Sequence, residues 1–432
     1  MSARLRRIGT NAGWLMAGRG VQAVLSIVYL ALATRTLGLV EFGRFSLIVA
    51  VGQSISALVG FQTWQFVVRY GTPALIARDH SALESIIGLS AVLDFAAAAI
   101  GSVVSLVVII LLGPWLSLPR DLYAPAFGFC FAMLIAVRST PTGVLRLEQR
   151  FRDAALADSV LPGVRAGGAL LAALAMPNVA GFLWAWAAAE LATALVTWHA
   201  ALRDRGMTLA PAALKRLARE EPSLWRFVLL TNLTSTLTMT SKQFTLLTVG
   251  AFGGPAAAGM FRVAAQLAQA LAKATQTFSR AAFSELVLAI AKGSDRGLLV
   301  QLTGFAGLVA AAMLGIAVLF AEPLLRLITT DQFAGAYWPI VILVAAAALD
   351  LLGFAFEPAM TARGQSGAAF RLRLLATAVL AVLLVLLLPR FGIVGGAWAT
   401  FGGSLSAVLL TGWGVFRQHP HDPVPHAAPS RP

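Results

Sequence analysis

The chain has 432 residues, of which 58% are hydrophobic and only 12% are charged. A soluble protein carries about a quarter charged residues, so this composition excludes an ordinary soluble protein. Apolar runs of about 20 residues recur from end to end, and a helix needs a run of that length to cross a bilayer. The runs are long and rich in Ala and Leu rather than short and alternating. The sequence therefore predicts an all-α polytopic membrane protein.

Twelve membrane spans are predicted in chain order. They are 12–34, 43–66, 86–112, 122–143, 155–175, 179–200, 227–249, 258–280, 298–320, 337–358, 372–389 and 393–415. Of the 33 Lys and Arg residues, 22 lie on the side of the N-terminus and five lie on the opposite side. Because cytoplasmic loops are enriched in Lys and Arg, we expect both termini in the cytoplasm. The basic segment MSARLRR leads into a long apolar run, which we interpret as the first span rather than a cleaved signal.

The two halves of the chain resemble each other. MPNVAGFLWAWA at 176–187 matches LPRFGIVGGAWA at 388–399, and LGLVEFGRF at 37–45 matches VGAFGGPAAAGMF at 249–261 if a short insertion is allowed. Repeats of this kind predict two six-helix lobes of the same orientation, which commonly enclose a substrate site. The predicted domains are an N-terminal lobe at 1–201, a cytoplasmic linker at 202–226, a C-terminal lobe at 227–416 and a disordered cytoplasmic tail at 417–432.

A polar stripe runs along the predicted span at 258–280. Its cations and amides are spaced by three or four residues, so they share one face of a helix. They are Arg262, Gln266, Gln269, Lys273, Gln276 and Arg280. A charge at the bilayer centre costs about 2.5–3.5 kcal/mol. No acidic residue between Met260 and Phe283 can neutralise Lys273. We interpret the stripe as the wall of a wet cavity; a Lys273 paired with an acid on another helix is the alternative.

Other predicted spans extend this interpretation. The candidate cavity residues outside the stripe are Arg19, Gln22, Gln53, Arg138 and Lys242. The hypothesis depends on their convergence, because a single amide in a membrane helix usually bonds a neighbouring helix. Among the intramembrane acids, we expect Asp94 and Asp350 to be the better buried. They are interpreted either as proton relays for a coupled transporter or as counter-ions of a cavity cation.

The sequence contains no catalytic motif. It has no G-x-x-x-x-G-K-[ST] phosphate loop and no HExxH metal motif, and Cys130 is its single cysteine. We therefore expect a transporter rather than an enzyme, with no metal and no other cofactor. The net charge is +14, with the cations placed between apolar runs. This pattern favours anionic lipid and an anionic membrane substrate as partners, rather than nucleic acid.

Two short motifs carry a family resemblance. Residues 11–50, NAGWLMAGRGVQAVLSIVYLALATRTLGLVEFGRFSLIVA, contain the pattern R-x-L-G-x-x-x-F-G-x-F, and P-x-F-G-x-x-G-G-A stands at 389–397. With the twelve-span layout, these motifs resemble the polysaccharide-export branch of the multidrug/oligosaccharidyl-lipid/polysaccharide exporter (MOP) superfamily, which includes the Wzx-type O-antigen flippases. The resemblance implies two six-helix lobes around a central cavity. It also implies alternating access that carries a polyprenyl-diphosphate-linked oligosaccharide of O-antigen, capsule or exopolysaccharide across the inner membrane.

The resemblance further implies roles and partners. Lys242, Arg262 and Lys273 would hold the diphosphate while the prenyl tail stays in lipid. A polysaccharide polymerase and a chain-length regulator are implied partners, and we expect a monomer.

Three alternative functions stay open. The first is a drug/cation antiporter of the same superfamily, which would need an acidic cavity. The second is a major-facilitator carrier, which would have the motif Gly-x-x-x-Asp-Arg-x-Gly where this chain has RYGTPALIARDHSALES. The third is a structural component of an envelope assembly, which would move no glycolipid.

Overall fold

The computed structural model describes residues 3–203, 207, 243–272, 295–362 and 366–417. These ranges contain helices and turns and no strand, so the predicted all-α membrane fold is confirmed. Eight helical stretches within them are long and apolar enough to cross a membrane. Two of these, Val24–Ile76 and Gly367–Val415, are 53 and 49 residues long. At a rise of about 1.5 Å per residue, each is nearly twice as long as a whole bilayer is thick and so accounts for two spans.

The described helices follow a repeating order. In the N-terminal half they are α1 (Ala3–Val59), α2 (Thr63–Ile76), α3 (His80–Leu112), α4 (Tyr123–Ile135), α5 (Ser139–Leu147), α6 (Phe151–Ala175) and α7 (Val179–Leu202). They are followed by α8 (Gln243–Ala272), α9 (Asp295–Ile328), α10 (Tyr337–Leu352), α11 (Phe356–Ala362) and α12 (Ser366–Arg417). Short 3-10 turns, Arg120–Leu122 and Asp331–Ala336, precede α4 and α10. The sequence of turn, helix, break and short helix thus occurs once in each half.

Single glycines replace two of the predicted loops. Gly38 in α1 has φ 70 and ψ −177, and Gly392 in α12 has φ 55 and ψ −136. A positive φ is accessible to glycine and strained for residues with a Cβ, so these positions separate two helices within one continuous stretch. Gly254 in α8 also has a positive φ of 75. The connections between spans 1 and 2 and between spans 11 and 12 are therefore tight glycine corners.

Three predicted spans are interrupted rather than continuous. The span predicted at 122–143 is broken at 136–138, between α4 and α5. Pro141 is the third residue of α5 and cannot continue a helix from α4, because it lacks an N–H and its ring clashes with the carbonyl four residues earlier. Pro358 is likewise the third residue of α11, which follows a break after α10. The span predicted at 43–66 is similarly interrupted at 60–62, between the end of α1 and the start of α2.

Contacts between Cα atoms divide the chain into two compact units. The first comprises residues 1–259 with 328–330, and the second comprises 260–327 with 331–432. One core of the first unit is formed by Phe66, Val67, Ala74, Leu83, Ile86, Ile87, Val144, Leu145, Leu147 and Ala201. A core of the second is formed by Ala355, Phe356, Ala359, Met360, Ala369 and Val415. Most of the predicted linker at 202–226 lies outside the described residues, so the predicted domain bounds remain predictions.

Helices α1 and α8 approach each other in the first unit at a point where only glycine fits. A Cβ on Gly43 would lie 1.8 Å from the carbonyl oxygen of Pro255, and a Cβ on Gly259 would lie 2.7 Å from the carbonyl oxygen of Leu39. The contact is reciprocal, because Leu39 and Gly43 have the same spacing as Pro255 and Gly259 and each pair follows a left-handed glycine. The repeat therefore aligns LGLVEFGRF with GGPAAAGMF directly, without the predicted insertion.

Candidate functional site

The break between α4 and α5 places Arg138 beside a buried carboxylate of the first unit. Arg138 precedes α5, with φ −127 and ψ −8. Its Nη2 donates a hydrogen bond to Oε2 of Glu190 on α7 at 2.8 Å. The Glu190 side chain is 7% exposed, whereas the Arg138 side chain is 34% exposed. Arg138 is therefore the more exposed partner of a pair whose acid is buried.

Arg165 on α6 binds the other oxygen of the same carboxylate. Its Nη2 donates to Oε1 of Glu190 at 2.5 Å, and its guanidinium carbon lies 4.1 Å from the centre of the Trp186 ring. Trp186 stands one turn before Glu190 on α7 and packs against Phe45 of α1, with ring centroids 5.2 Å apart. Stacking and the ion pair together fix the Arg165 guanidinium. We call Arg138, Arg165 and Glu190 the arginine–glutamate cluster.

In the arginine–glutamate cluster two guanidinium groups share one carboxylate, and the nearby Asp158 on α6 acts on Arg138 without an ion pair among the described residues. Nε of Arg165 is buried and has no hydrogen-bond partner among the described residues. The helices that hold the cluster pack within apolar segments, where an uncompensated charge is costly. Arginine forks match the geometry of phosphate and carboxylate groups and form strong charge-assisted hydrogen bonds with them. The arrangement can therefore bind an anion.

A second buried carboxylate, Asp94 on α3, ties the two helix breaks together. Oγ1 of Thr63 donates to Asp94 at 2.8 Å, and Thr140 donates to Asp94 Oδ2 through its hydroxyl at 2.7 Å and its backbone N–H at 3.0 Å. Thr63 begins α2 and Thr140 lies in the first turn of α5, so two helix N-termini face the carboxylate. Within the described ranges no cation contacts Asp94, and the counter-ion of Arg138 is Glu190 instead. Asp94 fixes the backbone from which Arg138 extends.

Three further predicted residues have different environments. Nε2 of Gln22 donates to Oγ of Ser159 at 3.2 Å, which joins α1 to the helix that carries Arg165. Gln53 is half-buried in α1, and its Oε1 has no hydrogen-bond partner in the described part of the chain. Asp350 is exposed near the end of α10 rather than buried as expected. Gln22 thus contacts a helix of the arginine–glutamate cluster.

The polar stripe of α8 is described in part. Arg262 and Gln266 are half-buried and Gln269 is exposed, whereas the residues at 263–264 and 267–268 are buried. The Gln266 Oε1 is buried without a hydrogen-bond partner among the residues described. The stripe thus lies on the less buried side of α8. Whether it lines a cavity remains a prediction.

The predicted convergence of cations also remains a prediction. Lys242, Lys273 and the side chain of Arg19 lie outside the described residues. Arg165 and Glu190 are not among the site residues that the sequence predicts. A signal for them exists, since both are ionisable residues in consecutive spans joined by a short connection, where intramembrane charges usually pair.

The family of the chain follows from comparison with known proteins. A family model described as "Polysaccharide biosynthesis protein" matches residues 8–283, which is more than half of the chain. The chain is also similar to the inner membrane protein YghQ of Escherichia coli (strain K12), with 29% identity over 263 residues. That similarity covers 60% of this chain and 74% of YghQ.

Solved structures show the same fold. A multidrug resistance MATE family transporter of the MOP superfamily, in an inward-facing conformation, superposes with a TM-score of 0.72 at 15% identity, covering 92% of this chain and 94% of that chain. The lipid II flippase MurJ also gives a TM-score of 0.72, at 11% identity, covering 93% and 87%. A MOP superfamily transporter from Pyrococcus furiosus gives 0.62 at 16% identity, covering 93% of both chains. The chain is therefore a multi-pass membrane protein with the fold of MOP superfamily transporters, and it belongs to the polysaccharide biosynthesis protein family.

Proposed function

We propose that the chain is a flippase that moves a polyprenyl-diphosphate-linked oligosaccharide across the inner membrane by alternating access. Membership of the polysaccharide biosynthesis family supports this function, as do the similarity to an inner membrane protein and the fold shared with a lipid II flippase. The observation that carries the proposal is the arginine–glutamate cluster. It places two guanidinium groups against one carboxylate in the helical interior of a family member whose substrate would carry a negative head group.

The chemistry of such a substrate explains why the charge is needed. A diphosphate carries about two negative charges, and moving a bare charge into an apolar environment costs far more than a protein can offset without partners. Guanidinium groups would replace the water around the phosphate oxygens with charge-assisted hydrogen bonds. Each such bond contributes about 1.5–3 kcal/mol. The prenyl tail would remain in lipid while the head group moves past the cationic side chains.

The remaining predicted residues belong to this proposal. Further cations would complete the head-group site, and amides would bond the hydroxyl groups of the glycan. The residues proposed for these roles are Arg19, Gln22, Gln53, Lys242, Arg262, Gln266, Gln269 and Lys273. We further propose that the termini face the cytoplasm, that the chain acts as a monomer, and that a polymerase and a chain-length regulator receive its product.

Surface-glycan export in cells tests the proposal. Single replacements Arg138→Ala, Lys242→Ala and Lys273→Ala should each reduce export by about tenfold or more, because the loss of one charge-assisted bond costs at least 1.4 kcal/mol. Arg326→Ala is a matched control, since Arg326 pairs with Glu322 at an exposed position. Immunoblots of the membrane fraction should show equal protein levels. Normal export in all three site variants would contradict the proposal.

A drug/cation antiporter is the second candidate, because the MATE structures have the same fold. Such a transporter needs an acidic residue that is available to a cationic drug. Glu190 is engaged by two arginines and Asp94 by two threonines, which disfavours this candidate. The deletion strain distinguishes the two functions. Normal surface glycan with new sensitivity to cationic drugs would favour the antiporter.

A further inference from the structure

The carboxylate of Glu190 has the geometry of a bound phosphate. Its two oxygens extend from one central atom, and each accepts a hydrogen bond from a different guanidinium, at 2.8 Å from Arg138 and 2.5 Å from Arg165. Two oxygens of a phosphate group would engage the same two donors in the same way. The acid therefore occupies the position between the arginines that an anionic ligand would take.

We propose that Glu190 is an internal competitor that holds Arg138 and Arg165 in the empty transporter and is displaced by a phosphate group of the substrate. This inference deepens the proposed function, on which its substrate rests. In the empty state the carboxylate keeps two cations from repelling each other in an apolar interior. In the loaded state the phosphate takes over both guanidinium groups, and Glu190 loses its partners.

Displacement leaves the Glu190 carboxylate, whose side chain is 7% exposed, without its two cations. The other ionisable groups near the two arginines are Asp158 on α6, which acts on Arg138, and Tyr29 on α1, which acts on Arg165. Asp158 forms no ion pair with either guanidinium among the described residues.

Binding of inorganic pyrophosphate and of undecaprenyl diphosphate to the purified full-length protein tests the proposal by calorimetry. Glu190→Gln should bind pyrophosphate about tenfold more tightly than the wild type at neutral pH, which corresponds to removing about 1.4 kcal/mol of competition. Asp158→Asn is the matched control. It removes an acid that acts on Arg138 through space but forms no ion pair with either guanidinium among the described residues, and it should change affinity less than about twofold.

A second variant covers the case in which Glu190→Gln fails to fold. Glu190→Asp keeps the carboxylate but shortens the side chain by one methylene, so it should hold the two guanidinium groups less well and should bind pyrophosphate more tightly than the wild type.

Several outcomes overturn the inference. They are unchanged or weaker pyrophosphate binding by folded Glu190→Gln or Glu190→Asp, an equal gain in Asp158→Asn, and no pyrophosphate binding by either the wild type or the variants. The proposed function fails separately. Competition seen with pyrophosphate but no binding of undecaprenyl diphosphate would uphold the internal competitor and reject the prenyl-diphosphate substrate.

Discussion

Arg165 is held by two contacts that only an arginine can make together. Its guanidinium face lies over Trp186 at 4.1 Å, and its edge donates to Glu190 at 2.5 Å. A lysine ammonium would keep the charge but has neither the planar face nor the fork. Because the group is 21% exposed and its partner 7%, these contacts are only weakly screened by water.

Replacement of Arg165 should therefore separate charge from geometry. Arg165→Ala should lower the free energy of unfolding by about 2–3 kcal/mol, below the usual range for a broken buried pair because Arg138 still faces Glu190. Arg165→Lys should recover part of this loss. Thermal unfolding in detergent measures both. Arg326→Ala breaks a pair whose side chains are 74% and 58% exposed and should cost less than about 1 kcal/mol. Equal losses in the two alanine variants would contradict the buried role of Arg165.

At this scale the sequence identifies charges but not their partners. Arg138 is predicted as a site residue because it is one of several cations that lie within the predicted spans. Its actual partner, Glu190, is 52 residues away on α7. Spacing within one helix carries no information about a neighbour on another helix. Asp94 shows the converse, since a deeply placed acid is satisfied by hydroxyl groups and a helix N-terminus rather than by a cation.

At the scale of elements, the breaks in the helices position the site. Hydropathy predicts the spans because it averages over many residues, and for that reason it does not detect where a helix stops within an apolar run. Pro141 gives a local signal for the break before α5. Asp94 then fixes the first turns of α2 and α5 against α3. As a consequence, the Arg138 side chain extends from a backbone position with non-helical φ and ψ, rather than from the side of a continuous helix.

The crossing of α1 and α8 is the element contact most sensitive to a single methyl group. Gly43→Ala would place a Cβ 1.8 Å from the carbonyl oxygen of Pro255, and backbone cannot move aside as a flexible side chain can. We expect a loss of about 3 kcal/mol or more in the free energy of unfolding, at the upper end for overpacking. Gly163→Ala is the control, because nothing lies within 4 Å of its Cβ.

In the control, alanine should stabilise α6 by about 0.5–1 kcal/mol, since glycine is the poorer helix former. Urea or thermal unfolding of the two purified variants measures the difference. If Gly43→Ala proved as stable as Gly163→Ala, helices α1 and α8 would not approach as closely as described, and the reciprocal contact between the two repeats would be wrong.

For the whole molecule, composition and hydropathy are enough to predict an all-α membrane protein, and two short motifs are enough to indicate the superfamily. The internal repeat is also visible in sequence, although Gly254 shows that its register at α8 needs no insertion. Whether cations from both halves meet stays a prediction, because the answer depends on how distant helices are placed and because Lys242 and Lys273 lie outside the described residues.

The most direct test of the central claim is flipping in proteoliposomes that contain the purified protein and a fluorescent undecaprenyl-diphosphate-linked saccharide. Externally added quencher measures how fast the lipid exchanges between leaflets. The wild type should speed exchange well above protein-free vesicles, and Arg138→Ala with Arg165→Ala should return it to about the background rate. Exchange by the double variant at the wild-type rate, or no exchange by the wild type, would contradict transport of a diphosphate-linked lipid through the arginine–glutamate cluster.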